Sequence, residues 1–462
     1  MKPVGKPVHL TDDEVRSIQN EFKARRRPGS YEEGKWAVSH FNRDPRVLGA
    51  PWPNHYPKSV VLRDITLRTI EQTPGVTLSQ EQRKRLAEAL VDAGVSAVEI
   101  RAHGWGTSTQ DLKDEVSYLK HLRPDIEIKM GATTTDEMVD LAADLGVTMA
   151  EMWFPALPAA TAIYWTELYR VTWNGEDWRK LGAPLTLDQQ IERAKHFVKL
   201  VRRRNLKPSA GINLLTLVDD EHLEKFCIGM DEAGMEEIWL SDGPAGLSPE
   251  ALGYVVGQVK KFAPKCRVGL YARNTFGLAV ANVLACIHAG AGIVDVAING
   301  LHAATGQADL AIVAAALEML YGVNTGIDLS KLTSLARLAS DLSGVPLDPN
   351  HPITGSNAFN WGGAEILSQE LKVEPMLHWV FEPSVVGGKK KWEISPQSGN
   401  WTVLDKLREL DIDVDRALVP TIRERILRDL SLRRRSLTDA EIAEIANQVK
   451  KDAPAAATRK GG

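Results

Sequence analysis

The order of hydrophobic and polar residues along the 462-residue chain is most regular between Ser59 and about residue 325. Short β-branched runs alternate there with longer segments that repeat apolar side chains at three- and four-residue spacing, the pattern of strands and amphipathic helices. The first predicted helix follows Ser79, which forms a capping box with Gln82, and ends before Gly94. The predicted strands are residues 60–62, 97–100, 126–130, 147–154, 209–214, 237–241, 267–272 and 293–298.

Eight strands that are each followed by a helix predict a parallel barrel rather than an open sheet. The expected class is therefore α/β, with a (β/α)8 TIM barrel at residues 58–325. In such barrels, residues at the carboxyl ends of the strands carry the chemistry. The polar residues at these positions are Asp64, Arg68, Glu99, Arg101, His103, Glu151, Asn213, Asp242, Tyr271, Arg273, Asn299 and His302.

The rest of the chain has a different character on each side of the barrel. Residues 1–57 are polar and irregular and predict an N-terminal extension with a short helix at 12–25. After residue 325 the alternation stops, and residues 326–450 predict C-terminal, mostly helical lid subdomains, with helices at 329–343 and 416–432. The Ala-, Lys- and Gly-rich residues 451–462 predict a disordered tail.

Composition excludes several classes of partner. The formal charge of −4 provides no broad basic surface, so nucleic-acid binding has no electrostatic support. No apolar run reaches the length of a membrane span, and the N-terminus lacks an apolar signal segment, so no membrane association is expected. Cys227, Cys266 and Cys286 occur singly, which predicts buried free thiols in a reducing, cytoplasmic compartment.

Several ordered motifs resemble those of a known barrel family. Residues 64–76 read D-I-T-L-R-T-I-E-Q-T-P-G-V and resemble D-x-T-L-R-D-G-E-Q-x-P-G-V. That signature is typical of the metal-dependent isopropylmalate synthase, homocitrate synthase and hydroxymethylglutaryl-CoA lyase barrels. Residues 274–282 are similar to the end of the family's H-x-H-N-D-x-G-x-A-x-A-N, and residues 296–301 to its strand-eight motif. Residues 355–359 resemble the start of the synthase lid, and residues 437–441 resemble the usual ending of its second subdomain. The presence of this appended domain favours the synthase branch.

The departures from the family pattern concern its metal site. The resemblance implies a divalent cation held by one Asp, two His and one Asn, but these positions are Thr69, Tyr271, Arg273 and Gln307. Arginine cannot be deprotonated, and Thr and Gln are weak ligands for such a cation. The lid histidine is also missing, because H-x-x-G-I-H reads W-G-G-A-E-I from Trp361 onwards. We therefore expect neither a bound metal nor another cofactor.

The residues that remain suggest another way to stabilise charge. Arg68 and Arg273 would form a clamp for a carboxylate or an oxyanion. Tyr271 would face the same way, with its pKa lowered by the two cations, as an acid or base, and Glu71 would supply a carboxylate. These four are the predicted catalytic residues. The predicted substrate-binding residues are Gln72, Glu99, His103, Asn213, Asp242, His302 and Trp361, and Trp105 and Trp153 would line an apolar pocket together with Trp361.

Three functions stay open at this point. The first is a metal-independent enzyme that makes or breaks a C–C or acyl bond in an oxo- or hydroxycarboxylic acid or its acyl-CoA derivative. The second is a catalytically silent homologue that binds a metabolite or partner subunit, in which Arg68 and Arg273 pair with Glu71, Glu99 or Asp242.

The third function is a metal-dependent acyltransferase with ligands relocated to Glu99, His103, Asp242 and His302. For any of the three, the resemblance implies a homodimer in which the lid of one subunit covers the barrel of its partner.

Overall fold

The computed structural model describes residues 12–25, 27, 31–32, 36–37, 40–43, 46, 56–101, 107–131, 133, 135–155, 172–173, 176–177, 185–363 and 381–453. The chain divides into two compact units, residues 1–347 and 348–462. The sequence analysis predicted a boundary at residue 325, and the helix described below lies between the two positions.

The first unit contains the predicted barrel. Its parallel strands close in the order β6-β7-β8-β1-β2-β3-β4-β5, and all eight overlap the predicted runs. They are β1 (Val61–Asp64), β2 (Ala97–Ile100), β3 (Glu127–Met130), β4 (Met149–Pro155), β5 (Lys207–Asn213), β6 (Glu237–Asp242), β7 (Arg267–Ala272) and β8 (Ile293–Val296). The carboxyl ends of these strands therefore meet at one face of the barrel, as required for a shared site.

A helix follows every strand of the barrel. The helices are α2 (Gln80–Asp92), α3 (Thr109–Leu122), α4 (Asp136–Leu145), α5 (Leu187–Arg203), α6 (Asp220–Ala233), α7 (Pro249–Phe262), α8 (Ala279–His288) and α9 (Leu310–Tyr321). The capping box of Ser79 and Gln82 opens α2 as predicted. Ser248 caps α7, with Pro249 in its first turn.

The N-terminal extension begins with the predicted helix, α1 (Asp12–Arg25). Arg25 Nη1 lies 3.2 Å from Asp219 Oδ2, at the start of α6, and Phe41 is fully buried. The described part of the extension therefore contacts the outside of the barrel.

The helix α10 (Leu332–Ser343) ends the first unit. A short 3-10 turn, Leu329–Lys331, precedes it, so the predicted helix at 329–343 is present with a tighter first turn. The amide of Asn299 donates to the carbonyl of Ala336 at 2.8 Å. Because this bond ties α10 to the loop after β8, the helix belongs to the barrel unit and not to the C-terminal subdomains.

The second unit is mostly helical, as predicted. Strands β9 (Asn360–Gly363) and β10 (Lys391–Ile394) pair in parallel, and helices α11 (Asn400–Glu409), α12 (Val419–Arg433) and α13 (Asp439–Asp452) follow. The sequence analysis located only α12, at 416–432. Helix α13 includes residues 451 and 452, which contradicts the predicted start of a disordered tail. Residues 454–462 lie outside the described residues.

The three helices of the second unit share an apolar core. The core side chains are Val403, Leu407, Ile422, Ile426, Ile442 and Ala446. The cysteines of the barrel unit are free and buried, as predicted. In the part of the chain that is described, no helix has the length and apolar character needed to cross a membrane.

Candidate active site at the barrel mouth

The hydroxyl of Tyr271 and the ring of His302 form a hydrogen-bonded pair at the end of β7. Tyr271 Oη lies 2.5 Å from His302 Nε2, and the two rings meet edge to face. His302 Nδ1 lies 3.3 Å from the carbonyl oxygen of Ala303. Because a carbonyl can only accept, Nδ1 carries the proton in this bond, and Nε2 accepts the hydroxyl proton of Tyr271.

Arg273 bonds to the same carbonyl oxygen. Its Nη1 donates to the oxygen of Ala303 at 2.9 Å. The loop after β8 brings that carbonyl back to β7, because Gln307 forms an antiparallel bridge with Arg273. Arg273 Nε is buried and has no hydrogen-bond partner among the residues described. Arg273 therefore retains one donor for a further acceptor.

Two guanidinium groups flank the ring of Tyr271. The Cζ atoms of Arg68 and Arg273 lie 5.7 and 5.9 Å from its centroid. The sequence led us to expect that these cations lower the pKa of Tyr271, and this is wrong. Burial raises the pKa of the phenol by more than Arg68 and Arg273 lower it. Tyr271 is therefore a protonated donor at neutral pH.

The same surroundings keep His302 neutral. Burial first, and then the positive charges of Arg273 and Arg68, lower the pKa of its imidazole to about 3. A neutral ring fits the tautomer given above, with one nitrogen as donor and the other as acceptor.

Arg68 lies in a one-turn helix, Thr66–Thr69, directly after β1. Its Nε is 3.2 Å from Glu99 Oε1, and its guanidinium lies 5.8 Å from the ring of Trp153. Burial would raise the pKa of Glu99, but Arg68 and Lys129 together lower it. The alternative in which Arg68 pairs with Glu99 is thus confirmed, whereas the partner of Arg273 is a main-chain carbonyl.

The residues at the family's metal positions do not fit a divalent cation. Thr69 Oγ1 is within 3.0 Å of the carbonyl oxygens of Ile65 and Leu301 and donates to them. The three other side chains at these positions are a phenol, a guanidinium and an amide, and none is an anionic or imidazole ligand. Over the described ranges, no group of three or more His, Cys, Asp or Glu side chains is placed to hold a metal ion.

Two residues of the proposed relocated metal site make other bonds. Asp242 accepts hydrogen bonds from the hydroxyl of Thr216 and, at 2.9 Å, from the backbone N–H of Leu247; burial raises its pKa to about 6. Glu99 is held by Arg68 and Lys129. His103 and Trp105 lie outside the described residues, so their predicted roles stay predictions.

Glu71 lies in a separate ion-pair cluster. Its Oε1 accepts from the backbone N–H of Leu78 at 3.0 Å, and its Oε2 from Arg83 and Arg101 at 2.9 and 3.1 Å. Both oxygens therefore hold the loop between β1 and α2. The expectation that Glu71 supplies a carboxylate to the clamp is not supported by this position. Gln72 is half-buried in the same turn.

Asn213 ends β5 at the same face of the barrel. Its side chain is 6% exposed, and its Nδ2 has no hydrogen-bond partner among the residues described. This amide is a donor that a ligand could use, and the substrate-binding role of Asn213 stays a prediction. Trp361 belongs to β9 of the second unit and is 40% exposed, so a pocket shared with Trp153 stays a prediction.

The barrel interior contains a buried cation, Lys129, that the sequence analysis missed. Lys129 Nζ bonds to Glu151 and lies 3.3 Å from Glu99 Oε2. The indole of Trp153 also donates to Glu151. All these side chains except that of Trp153 are fully buried. Glu99 therefore links the cation of the site, Arg68, to a second buried cation, Lys129.

A second group of buried charges lies deeper in the barrel. Arg63 donates to Asp295 at 2.7 Å and to Glu237 at 3.0 Å, and Trp239 Nε1 donates to Asp295 at 2.5 Å. Burial alone would raise the pKa of Glu237, but Arg63 and then Arg267 lower it to about 2. The sequence signal for this network is a charged residue at alternate positions within otherwise apolar strands.

Comparison with known proteins agrees with this architecture. The HMGL-like family model matches residues 59–339. Homocitrate synthase AksA of Methanopyrus kandleri is 28% identical over 393 residues, covering 85% of this chain and 93% of that protein. The 2-phosphonomethylmalate synthase of Streptomyces rubellomurinus is 30% identical over 395 residues, covering 84% and 98%.

Solved structures show the same fold. The HMG-CoA lyase of Bacillus subtilis matches with a TM-score of 0.52 and 18% identity, over 63% of this chain and 96% of that one. The HMG-CoA lyase of Pseudomonas aeruginosa gives a TM-score of 0.51 at 19% identity, over 63% and 95%. With the barrel, the ordered motifs and a family match over more than half of its length, this chain belongs to the HMGL-like family.

Proposed function

We propose that this protein makes or breaks a carbon–carbon or acyl bond in a small oxo- or hydroxycarboxylic acid, or in its acyl-CoA derivative, without a metal ion. The observation that carries the proposal is the Tyr271–His302 pair, which lies beside Arg68 and Arg273 at the carboxyl ends of the barrel strands. The relatives named above, a homocitrate synthase and a phosphonomethylmalate synthase, support this substrate class.

The positive charges would bind the substrate. Arg273 makes its bond to a neutral carbonyl, so its charge is available to an anionic ligand, and its buried Nε can donate one more hydrogen bond. A carboxylate placed there would gain a charge-assisted hydrogen bond. The amide of Asn213 offers a second donor from β5.

The protonated phenol would serve the chemical step. When a C–C bond next to a carbonyl breaks or forms, negative charge develops on the carbonyl oxygen. If its hydroxyl turns from His302 to that oxygen, Tyr271 can donate its one hydrogen bond there, while the two guanidinium groups stabilise the charge. One donor directed at a developing oxyanion contributes roughly 100- to 1000-fold in rate. Arginine and tyrosine would thus take over the charge stabilisation that the family assigns to its metal ion.

A catalytically silent homologue is the second candidate. It is favoured by the Arg68–Glu99 ion pair and by Thr69, whose hydroxyl is bonded to main-chain carbonyls. In both contacts a side chain is bonded within the protein, as expected where a structural core has filled the position of a former active site. The homodimer, the lid over a partner's barrel and the cytoplasmic location stay predictions under either function.

The test is turnover in the presence of chelator. Purified protein in EDTA would be incubated with a panel of hydroxy acids, and with pairs of 2-oxo acids and acyl-CoA thioesters, and products identified by mass spectrometry. We expect product from the wild type, none from Arg273→Met, and normal turnover from Arg204→Met on the surface of the barrel. Absence of product from every pair, with a folded Arg273→Met variant indistinguishable from wild type, would favour the silent homologue.

A further inference from the structure

The proton acceptor of the reaction can be identified from the bonds around Ala303. Its carbonyl oxygen accepts from Arg273 Nη1 at 2.9 Å and from His302 Nδ1 at 3.3 Å. An oxygen with two lone pairs can accept both, but the shorter bond is the one to the charged donor. The cation that would bind substrate and the imidazole therefore share one acceptor.

The proton between Tyr271 and His302 stays on tyrosine in the ligand-free protein. Nε2 of His302 is already positioned to receive it, because Nδ1 bears the other ring proton. Transfer of the proton would create an imidazolium beside the guanidinium groups of Arg273 and Arg68. Before the substrate binds, its carboxylate is not there to offset this added positive charge. Glu99, the carboxylate that pairs with Arg68, is also engaged by Lys129. Like charges in a buried site oppose the transfer.

We propose that His302 is the catalytic base, and that it becomes one only when an anionic carboxylate forms an ion pair with Arg273. This inference rests on the proposed function and adds the regulation of the same site. The ion pair neutralises the charge that opposes imidazolium. As Arg273 turns towards the ligand, the carbonyl of Ala303 also becomes available to His302 Nδ1 alone, which stabilises the protonated ring.

The proton balance of the step is complete with these two residues. In the cleavage direction the substrate hydroxyl gives its proton to Tyr271 Oη, while the phenol proton passes to His302 Nε2. The electron pair left on oxygen forms the new C=O bond as the C–C bond breaks. The resulting enolate, stabilised by Arg68 and Arg273, then takes its proton from Tyr271, and His302 returns its proton to tyrosine. No oxidant, reductant or further co-reactant is required.

This arrangement makes the basicity of His302 depend on whether the substrate carboxylate is bound at Arg273. Without a ligand, the imidazole of His302 is neutral and the phenol of Tyr271 is protonated. With the carboxylate bound, the same imidazole becomes a competent acceptor. A site arranged in this way would not deprotonate molecules that lack the carboxylate.

The test follows the titration of His302 in the full-length protein by NMR. The 11 histidines would be labelled with ¹³C and ¹⁵N, and the His302 signal assigned by its loss in His302→Gln. Titrations in EDTA would compare oxalate, a non-reactive carboxylate probe, with sodium chloride at equal ionic strength. We expect oxalate to raise the pKa of His302 by about one unit or more, a ~10-fold gain in proton affinity. In Arg273→Met the oxalate-dependent rise should be absent.

Two further results would separate this inference from the proposed function. In the first, oxalate raises the unfolding temperature of wild type but not of Arg273→Met, while the pKa of His302 does not change. The inference about His302 is then wrong, but the proposed carboxylate site at Arg273 is retained. If oxalate and the substrate panel neither bind nor turn over, both are wrong. Tyr271→Phe provides the matched control, since it keeps Arg273 and His302 and should keep the anion-dependent rise.

Discussion

Tyr271 and His302 are joined by a 2.5 Å hydrogen bond at the barrel mouth. In the resembling motifs, the position of Tyr271 is a metal-binding histidine, and the position of His302 is the glycine of a G-E-R that follows strand eight. A phenol in place of the histidine removes a ligand and adds a proton donor. An imidazole in place of the glycine adds the acceptor for that proton. The two replacements fit one another, which supports an active site rebuilt around proton transfer.

Tyr271→Phe should remove this donor with little effect on the packing. The ring contact with Trp239, 5.0 Å between centroids, does not need the hydroxyl. We expect kcat to fall at least ~100-fold. Stability should drop by about 1–3 kcal/mol, because Nε2 of His302 loses its partner in a buried site. Steady-state kinetics and urea unfolding measure both effects. The control is Tyr118→Phe, which removes an exposed hydrogen bond to Glu88 and should change neither.

His302 should make the folded protein sensitive to mild acid. Its pKa is about 3 when folded, below the ordinary value near 6.5, so only the unfolded chain binds this proton between those values. Its contribution to stability is therefore complete above pH 6.5 and is lost as the pH falls towards 3. Between pH 7.5 and 5.0 the wild type should lose about 2 kcal/mol that His302→Gln does not lose.

Urea unfolding at those two pH values gives the comparison for His302. Equal losses in wild type and in His302→Gln would show that the imidazole is protonated as easily in the folded state as in the unfolded one. That outcome would contradict the neutral ring on which the Tyr271 bond depends.

Lys129→Met should be among the most destabilising single changes in the barrel. It removes the cation between the buried carboxylates of Glu99 and Glu151. A buried ion pair broken from one side costs about 3–5 kcal/mol, since a charge is left without compensation. The double variant with Glu151→Gln should recover part of the loss. Lys225→Met, which breaks a surface pair with Asp188, is the matched control and should have little effect.

Gly211 should tolerate no side chain, because two indoles pack over it. A Cβ there would lie 3.0 Å from Trp239 Cε3 and 3.1 Å from Trp153 Cδ1. Gly211→Ala should therefore destabilise the protein by about 1–3 kcal/mol through overpacking. Gly257→Ala, in α7 with open space around its Cβ, should instead stabilise it by about 0.5–1 kcal/mol. A thermal or urea denaturation series that found the same sign for both would contradict this packing.

The barrel could be predicted from sequence because its signal is local. Each strand is a short apolar run, and each helix has its own period and cap, as at Ser79 and Ser248. The C-terminal helices were harder to predict. The capping box of Thr438 and Glu441 opens α13, but its residues were interpreted as a family motif and not as a helix start. Helix α11 has no side-chain cap, so it lacks this signal.

The sequence was enough to propose which residues form the candidate site, but not their pKa values or their ion pairs. Position along the strands was enough to group Arg68, Tyr271, Arg273 and His302. Burial decides the pKa of Tyr271, and burial is a property of the packed barrel. The pairing of Lys129 with Glu99 and Glu151 likewise depends on the register between β2, β3 and β4, which no single strand encodes.

The most direct test of a metal-free carboxylate site is thermal unfolding with ligands in the presence of chelator. Wild type and Arg273→Met would be heated with 2-oxo acids, hydroxydicarboxylates and acyl-CoA thioesters, in EDTA and with added divalent metal. We expect at least one carboxylate to raise the unfolding temperature of wild type equally well in EDTA, and Arg273→Met to lose this rise. Stabilisation that appears only when divalent metal is added would contradict it.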